Sequence, residues 1–171
     1  MKKLYFMRHG LSEMNKQGLR SGLTNTPLTD EGRAGAKQAG KGAHNLSIDT
    51  IVASTLDRAF ETAQIVASEI NHPIENILTS PLLVERDFGA LEGLPYTPEN
   101  DTDDVENIET TEQIFARARQ ALDWVETLPG DTILIVAHGA IGRAIRHVAN
   151  PDIPFVGHSH FPNTEIVELT R

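Results

Sequence analysis

Arg8-His9-Gly10 follows the apolar run Leu4-Tyr5-Phe6-Met7, and Ala137-His138-Gly139 follows a second apolar run, Ile133-Leu134-Ile135-Val136. Each places an imidazole where a buried strand ends, next to a glycine that lets the backbone come close to a ligand. In open α/β sheets the carboxyl ends of the strands face the ligand crevice. Between the two, Ser54-Thr55-Leu56-Asp57-Arg58 follows Ile51-Val52-Ala53 and delivers another guanidinium into the first turn of a helix. If the three runs are parallel strands, Arg8, His9, Arg58 and His138 converge at one edge. Two guanidinium forks suit planar, bidentate recognition of phosphate, and two imidazoles add a nucleophile and a donor. Such a cluster repels itself unless an anion fills it, so anion chemistry is the first expectation.

The elements that must position these groups alternate between strand and helix, the pattern of a layered α/β sheet. Strands are expected at Lys3 to Met7, Thr50 to Ala53, the first half of Ile77 to Val84 (Pro81 interrupts the rest), and Ile133 to Ala137. Thr164 to Leu169 alternates and reads as a late edge strand. Thr29 is the expected N-cap of a helix with Asp30 and Glu31 in its first turn. Its four glycines, from Gly32 to Gly42, demand close packing in compensation. Further helices are expected from about Leu56 to Ile70, from a cap at Thr110 or Thr111 to just before Pro129-Gly130, and from Ala140 to about Val148. The stretch from Gly10 to Leu28 reads as a polar loop.

The formal net charge of −9 and the pI near 5.2 disfavour a nucleic-acid or anionic-membrane partner, either of which calls for a basic face. One domain over residues 1–171 is the natural prior at this length, large enough to bury about 70% of its unfolded surface. No apolar stretch approaches the roughly 20 residues of a membrane span, and Leu4 to Met7 is too short for a signal-peptide core of about 7 to 15 residues. A cytoplasmic location is the default expectation. The absence of cysteine removes disulfides, thiolate metal sites and cysteine-nucleophile phosphatase mechanisms together.

Several segments imitate other chemistries. Gly35 to Lys41 resembles a P-loop, but Gly42 replaces the hydroxyl residue that would ligate magnesium, and the segment lies within a helical pattern. Gly157-His158-Ser159-His160-Phe161 imitates a nucleophile elbow, with Phe161 in place of the second glycine. His158 and His160 lack an evident third metal ligand, so substrate contact or a surface loop is the reading there. Asp101-Thr102-Asp103 imitates an aspartate nucleophile but lies in an acidic segment, Pro98 to Glu112, that contains no basic residue. That segment reads as a mobile, solvated loop serving solubility, or alternatively as an overhang that repels highly anionic substrates.

Arg8-His9-Gly10, Asn15, Ser21-Gly22, Pro27-Leu28-Thr29, Gly32, Ser54 to Ala63, Glu85 with Phe88 to Gly93, and Ala137-His138-Gly139 together resemble the histidine phosphatase superfamily, the phosphoglycerate mutase-like proteins. The likeness spans nearly the whole chain in the family's order. It implies a three-layer α/β/α fold with a mostly parallel central sheet. It also implies metal-independent phosphoryl transfer from a small phosphorylated substrate, with His9 as the nucleophile forming a phosphohistidine and no cofactor. Arg8, Arg58 and His138 match the phosphate pocket, Glu85 the proton donor, and Asn15 and Gly22 the auxiliary phosphate-contacting positions, with Ser21 expected to bind beside Gly22. Leu11, Ser21 and Asn25 depart from the family's usual residues at positions that tune substrate contacts. Mutase-type transfer, or phospho-ligand binding without turnover, are the alternatives.

Overall fold

The computed structural model describes residues 1–100, 102–156 and 160–170. Asp101, His158 and the centre of the elbow-like motif therefore lie outside the described residues. In chain order the regular elements are β1 (Lys3–Arg8), α1 (Glu13–Lys16), α2 (Asp30–Gly42), β2 (Thr50–Ser54), α3 (Asp57–Glu69), β3 (Leu78–Ser80), α4 (Thr111–Thr127), β4 (Thr132–Ala137), α5 (Gly139–Ala149) and β5 (Ile166–Glu168). Short 3-10 turns punctuate the connections, among them Pro81–Leu83, which ends the third apolar run at its proline. The one regular helix without a sequence counterpart is α1, a single turn with a capping box between Ser12 and Asn15.

The sheet has the order β3-β2-β4-β1-β5, parallel throughout except for β5, which pairs antiparallel with β1 at the edge. Because it is covered on both faces, successive residues of a strand enter opposite cores. Leu4 and Phe6 join Val52, Ile133 and Ile135 under α4 and α5. Tyr5 and Met7 join Ile51, Leu134 and Val136 under α3, on which α2 packs. Burial of each large apolar side chain contributes about 1.5–3 kcal/mol.

Two close approaches depend on glycine. A Cβ on Gly10 would stand 2.5 Å from the Gly32 carbonyl oxygen, and one on Gly32 would stand 2.1 Å from that of Leu11. The loop after β1 is thereby pressed against the first turn of α2. On the other face, a Cβ on Gly142 would lie 2.3 Å from the Phe6 ring, so α5 can sit on β1 only without it. The glycines that weaken α2 as an isolated helix are thus part of the packing that stabilises it.

Register is what brings the candidate residues to one edge of the sheet. Arg8 pairs with Ala137 as β1 and β4 run out together, so the next residues, His9 and His138, become neighbours. Ala53 pairs with Val136 on the other side of β4, which brings Ser54 level with the same edge. Among the described residues, no helix is long and apolar enough to cross a membrane.

The acidic segment differs from expectation. Ile108 is buried and Val105 packs on the core, the Asp103 carboxylate takes a hydrogen bond from Arg86, and Glu109 pairs with Arg117. Arg86 and Arg117, from outside the segment, pair with two of its carboxylates and Ile108 anchors it, so the exposed acidic stretch expected from sequence is docked in its second half.

Candidate active site

His9 is 2% exposed and is held from both sides. Its Nδ1 lies 2.7 Å from the Gly10 carbonyl oxygen, and its Nε2 accepts a hydrogen bond of 3.3 Å from Arg58 Nε. Burial, followed by the charges of Arg58 and Arg8, holds the imidazole pKa well below its ordinary 6.5. A neutral ring beside a carbonyl, which can only accept, must carry its proton on Nδ1. Nε2 carries no proton, and its lone pair faces Arg58 Nε, a hydrogen bond that must yield before this nitrogen can meet a substrate. The Gly10 amide in turn donates to Thr62 Oγ1 at 3.0 Å, and that hydroxyl donates to the Arg58 carbonyl at 2.7 Å, tying the loop after β1 to α3.

Arg58, in the first turn of α3, is 1% exposed. Its Nη1 and Nη2 donate to the carbonyls of Thr24 and Gly22, each at 2.7 Å. The guanidinium is therefore not an unengaged fork as its sequence position suggests. It fixes the 22–24 turn while each Nη retains a second N–H. Arg8 reaches the Phe161 carbonyl at 3.3 Å through Nη1, and its buried Nε has no hydrogen-bond partner. Burial lowers the pKa of both guanidinium groups and Glu85 opposes it, while a neighbouring cation adds to the lowering, Arg143 at Arg8 and Arg8 at Arg58.

His138 N-caps α5 and is fully buried. Its Nε2 is 2.7 Å from Ser54 Oγ, and its Nδ1 has no partner. The His138 and His9 ring centroids are 5.1 Å apart. Burial first, then Arg58, His9 and Arg8, hold its pKa well below 6.5.

Glu85 comes from the irregular segment after the Pro81–Leu83 turn and is 8% exposed. Its Oε1 accepts from the amides of Arg86 (2.8 Å), Ala140 (3.1 Å) and Ile141 (3.2 Å), whereas Oε2 accepts only from Ala140 at 3.2 Å. The amino terminus of α5 orients the carboxylate and leaves Oε2 the freer oxygen.

Arg8, His9, Asn15, Ser21, Gly22, Arg58 and Glu85 line one narrow pocket, with His138 behind it. All the residues expected at the site are therefore brought together. Arg8 Nε, Ser21 Oγ and His138 Nδ1 are buried polar atoms without a protein partner, which is what a pocket built for an anion leaves behind. Asn15 contributes less directly, since its Oδ1 takes long bonds of 3.4 Å from the Ser12 amide and 3.5 Å from Asn163.

The sequence profile of the histidine phosphatase superfamily (branch 1) matches residues 4–171. This chain belongs to that superfamily. It is 34% identical to the uncharacterized phosphatase PhoE of Bacillus subtilis over 85% of this chain and 76% of the relative. It is 32% identical to a 2,3-bisphosphoglycerate-dependent phosphoglycerate mutase of Parvibaculum lavamentivorans, over 83% of this chain and 77% of that one. The solved structure of Bacillus stearothermophilus YhfR superposes with a TM-score of 0.83 at 26% identity, covering 97% of this chain and 89% of the other.

For this superfamily member the structure adds residues that sequence reasoning missed. A second cavity of about 220 Å³ shares Arg8, Glu85 and Tyr96 with the narrow pocket and is completed by Gly139, Ala140, Arg143, His160 and Phe161. Tyr96 stacks on Arg20, whose guanidinium carbon is 4.0 Å from the ring centroid. Tyr96 carried no local signal, because it follows Pro95 in a segment without periodicity. Ser54 and Thr62 did lie within quoted motifs, and their hydroxyls beside charged neighbours were the available sign.

Proposed function

We propose that this chain is a phosphomonoester hydrolase that acts on a small phosphorylated metabolite through a phosphohistidine at His9, with no metal and with residues 1–171 working as one cytoplasmic domain. The observation that carries the reading is the tautomer of His9: the Nδ1 proton is tied to a carbonyl, so the unprotonated Nε2, which faces Arg58 Nε, is the nitrogen that attacks once the phosphoryl group draws that donor away. Nε2 forms a bond to phosphorus while the bond from phosphorus to the ester oxygen breaks. Arg8, Arg58 and the Nδ1 side of His138 hold the equatorial oxygens and stabilise their charge. Glu85 delivers a proton to the departing oxygen. It then takes one from the water that attacks the phosphohistidine, which releases phosphate and restores both groups.

The distal cavity beside Tyr96 and Arg143 receives the leaving group in this scheme. The mutase relative favours a second reading, in which the phosphoryl group is returned to another hydroxyl of the substrate. Against it, residues 94–112 carry no basic side chain to hold a phosphoglycerate.

The test is release of phosphate from an aryl phosphate in excess chelator, together with an acid-labile, alkali-stable phosphoprotein that is missing in His9→Ala. Inhibition by chelator, or binding of phosphate without turnover, overturns the proposal. Exchange between phosphoglycerate positions without net release replaces it with the mutase.

A further inference from the structure

Glu85 lies on a stretch of chain that belongs to no helix or strand, between the 3-10 turns Pro81–Leu83 and Gly89–Leu91. A proton donor must be held within about half an ångström of its productive place, so an irregular segment needs support from outside. Arg117, on α4, supplies it. Its Nη1 donates to the carbonyls of Leu82 (2.9 Å) and Val84 (2.7 Å), and its Nη2 reaches the Glu85 carbonyl at 3.4 Å. The same guanidinium grips Glu109 on both carboxylate oxygens, Nε to Oε1 at 2.7 Å and Nη2 to Oε2 at 2.8 Å.

Glu109 closes the frame from the far side. Its Oε2 accepts from the Asp87 amide (3.2 Å), its own amide donates to the Asp87 carbonyl (2.8 Å), and its carbonyl accepts from Arg86 Nε (2.7 Å). The peptide groups before, at and after Glu85 are thus bound to one bidentate ion pair. Its side chains are only 16% and 14% exposed. The carboxylate itself is held independently by the amides of α5. Glu85 is therefore suspended between two helices, its backbone from α4 and its head group from α5.

We infer that Arg117, acting with Glu109, is a positioning residue that sets the reach of Glu85 toward the leaving oxygen; this rests on Glu85 being the proton donor. Lysine cannot take over, because one ammonium offers three donors where the fork offers five in a fixed plane. Apart from the Glu85 carbonyl, Arg117 makes no hydrogen bond to a residue lining the phosphate pocket, and lysine keeps the positive charge that acts on His138, so the attack by His9 is expected to survive Arg117→Lys.

The two roles separate by leaving group. An alkyl phosphate such as glycerol phosphate needs a proton on its departing oxygen, while p-nitrophenyl phosphate departs as a stable anion. In Arg117→Lys, kcat/KM for glycerol phosphate is expected to fall about 10- to 100-fold, as for a misplacement of an ångström or less, and that for p-nitrophenyl phosphate less than about threefold. Glu85→Gln should show the same selectivity with a larger loss, about 10²- to 10³-fold on the alkyl ester. The double variant should be no worse there than Glu85→Gln alone.

Equal loss on both esters in Arg117→Lys, or losses that multiply in the double variant, overturns the inference. Absence of selectivity in Glu85→Gln overturns the assignment of Glu85 instead. Should Arg117→Lys fold poorly, Glu109→Gln carries the test, since it keeps the side-chain shape and weakens only the ion pair. A selective alkyl-ester loss of about three- to tenfold is expected from it, and an unselective one counts against the frame.

Discussion

His9 and His138 stand in near-identical settings. Each follows a buried strand, precedes a glycine and is enclosed to a few per cent exposure or less, and the strands that deliver them are neighbours in register. The difference lies in what ties the ring. His9 is restrained at Nδ1 by a carbonyl, which permits one proton position and leaves Nε2 as a lone pair. His138 is restrained at Nε2 by the Ser54 hydroxyl, which can give or receive a hydrogen bond, so its open Nδ1 can carry a proton toward an anion. In the proposed mechanism one motif thus serves as nucleophile at β1 and as donor at β4, and what distinguishes the two is the partner, a backbone oxygen in one case and a hydroxyl in the other.

The harshest test of this contrast is exchange of roles. His9→Ala should lower kcat by about 10⁴-fold or more and remove the phosphoprotein label, as expected when the attacking group is deleted. His138→Asn should lower kcat about 10²- to 10³-fold, the scale of one lost charge-stabilising donor, yet leave a detectable label on quenching. A label that survives in the first variant and vanishes in the second would reverse the assignment.

Both rings also leave a thermodynamic trace. Their folded pKa values lie well below 6.5, so as pH falls through 6.5 the unfolded chain binds protons that the folded chain refuses. Stability is therefore full above the unfolded value and is lost below it, by about 1.4 kcal/mol per pH unit for each histidine. Denaturant titrations from pH 7.5 to 5 read that slope, and His138→Asn should reduce it by the share of one ring. Saturating phosphate, which stabilises the folded state by binding it, should raise the midpoint throughout.

The smallest effect belongs to Ser54. Ser54→Ala removes the tie on His138 without touching His9, and a loss of about 3- to 10-fold in kcat is expected, near the worth of one hydrogen bond. A larger drop with Ser54→Ala than with His138→Asn would mean that the hydroxyl itself meets the substrate.

How far the site was readable from sequence follows the same division between local and distant causes. The strands, the four longer helices and the meeting of Arg8, His9, Arg58 and His138 follow from apolar patterns and the residues that end them, and the structure contains them. The Gly10 carbonyl under His9 was not legible, because a backbone oxygen has no letter of its own. Engagement of Arg58 with Gly22 and Thr24 was equally hidden, since it depends on a turn whose course is set by α1 and α3 together. The docking of the acidic segment's second half was not legible because the partners of Asp103 and Glu109, Arg86 and Arg117, lie in other segments. Charge counted within a window says nothing about cations that arrive from elsewhere in the fold.

The strand that carries the attacking ring sits inside the sheet, and its partners on both sides come from the last third of the chain. During synthesis β1 is therefore made well before either partner, an apolar ribbon with both edges unpaired until β4 and β5 have left the ribosome. Its brevity, six residues closed off by Arg8 and His9, limits the time-exposed adhesive surface. The two imidazoles accordingly meet only once β4 has paired with β1, late in the assembly of the sheet.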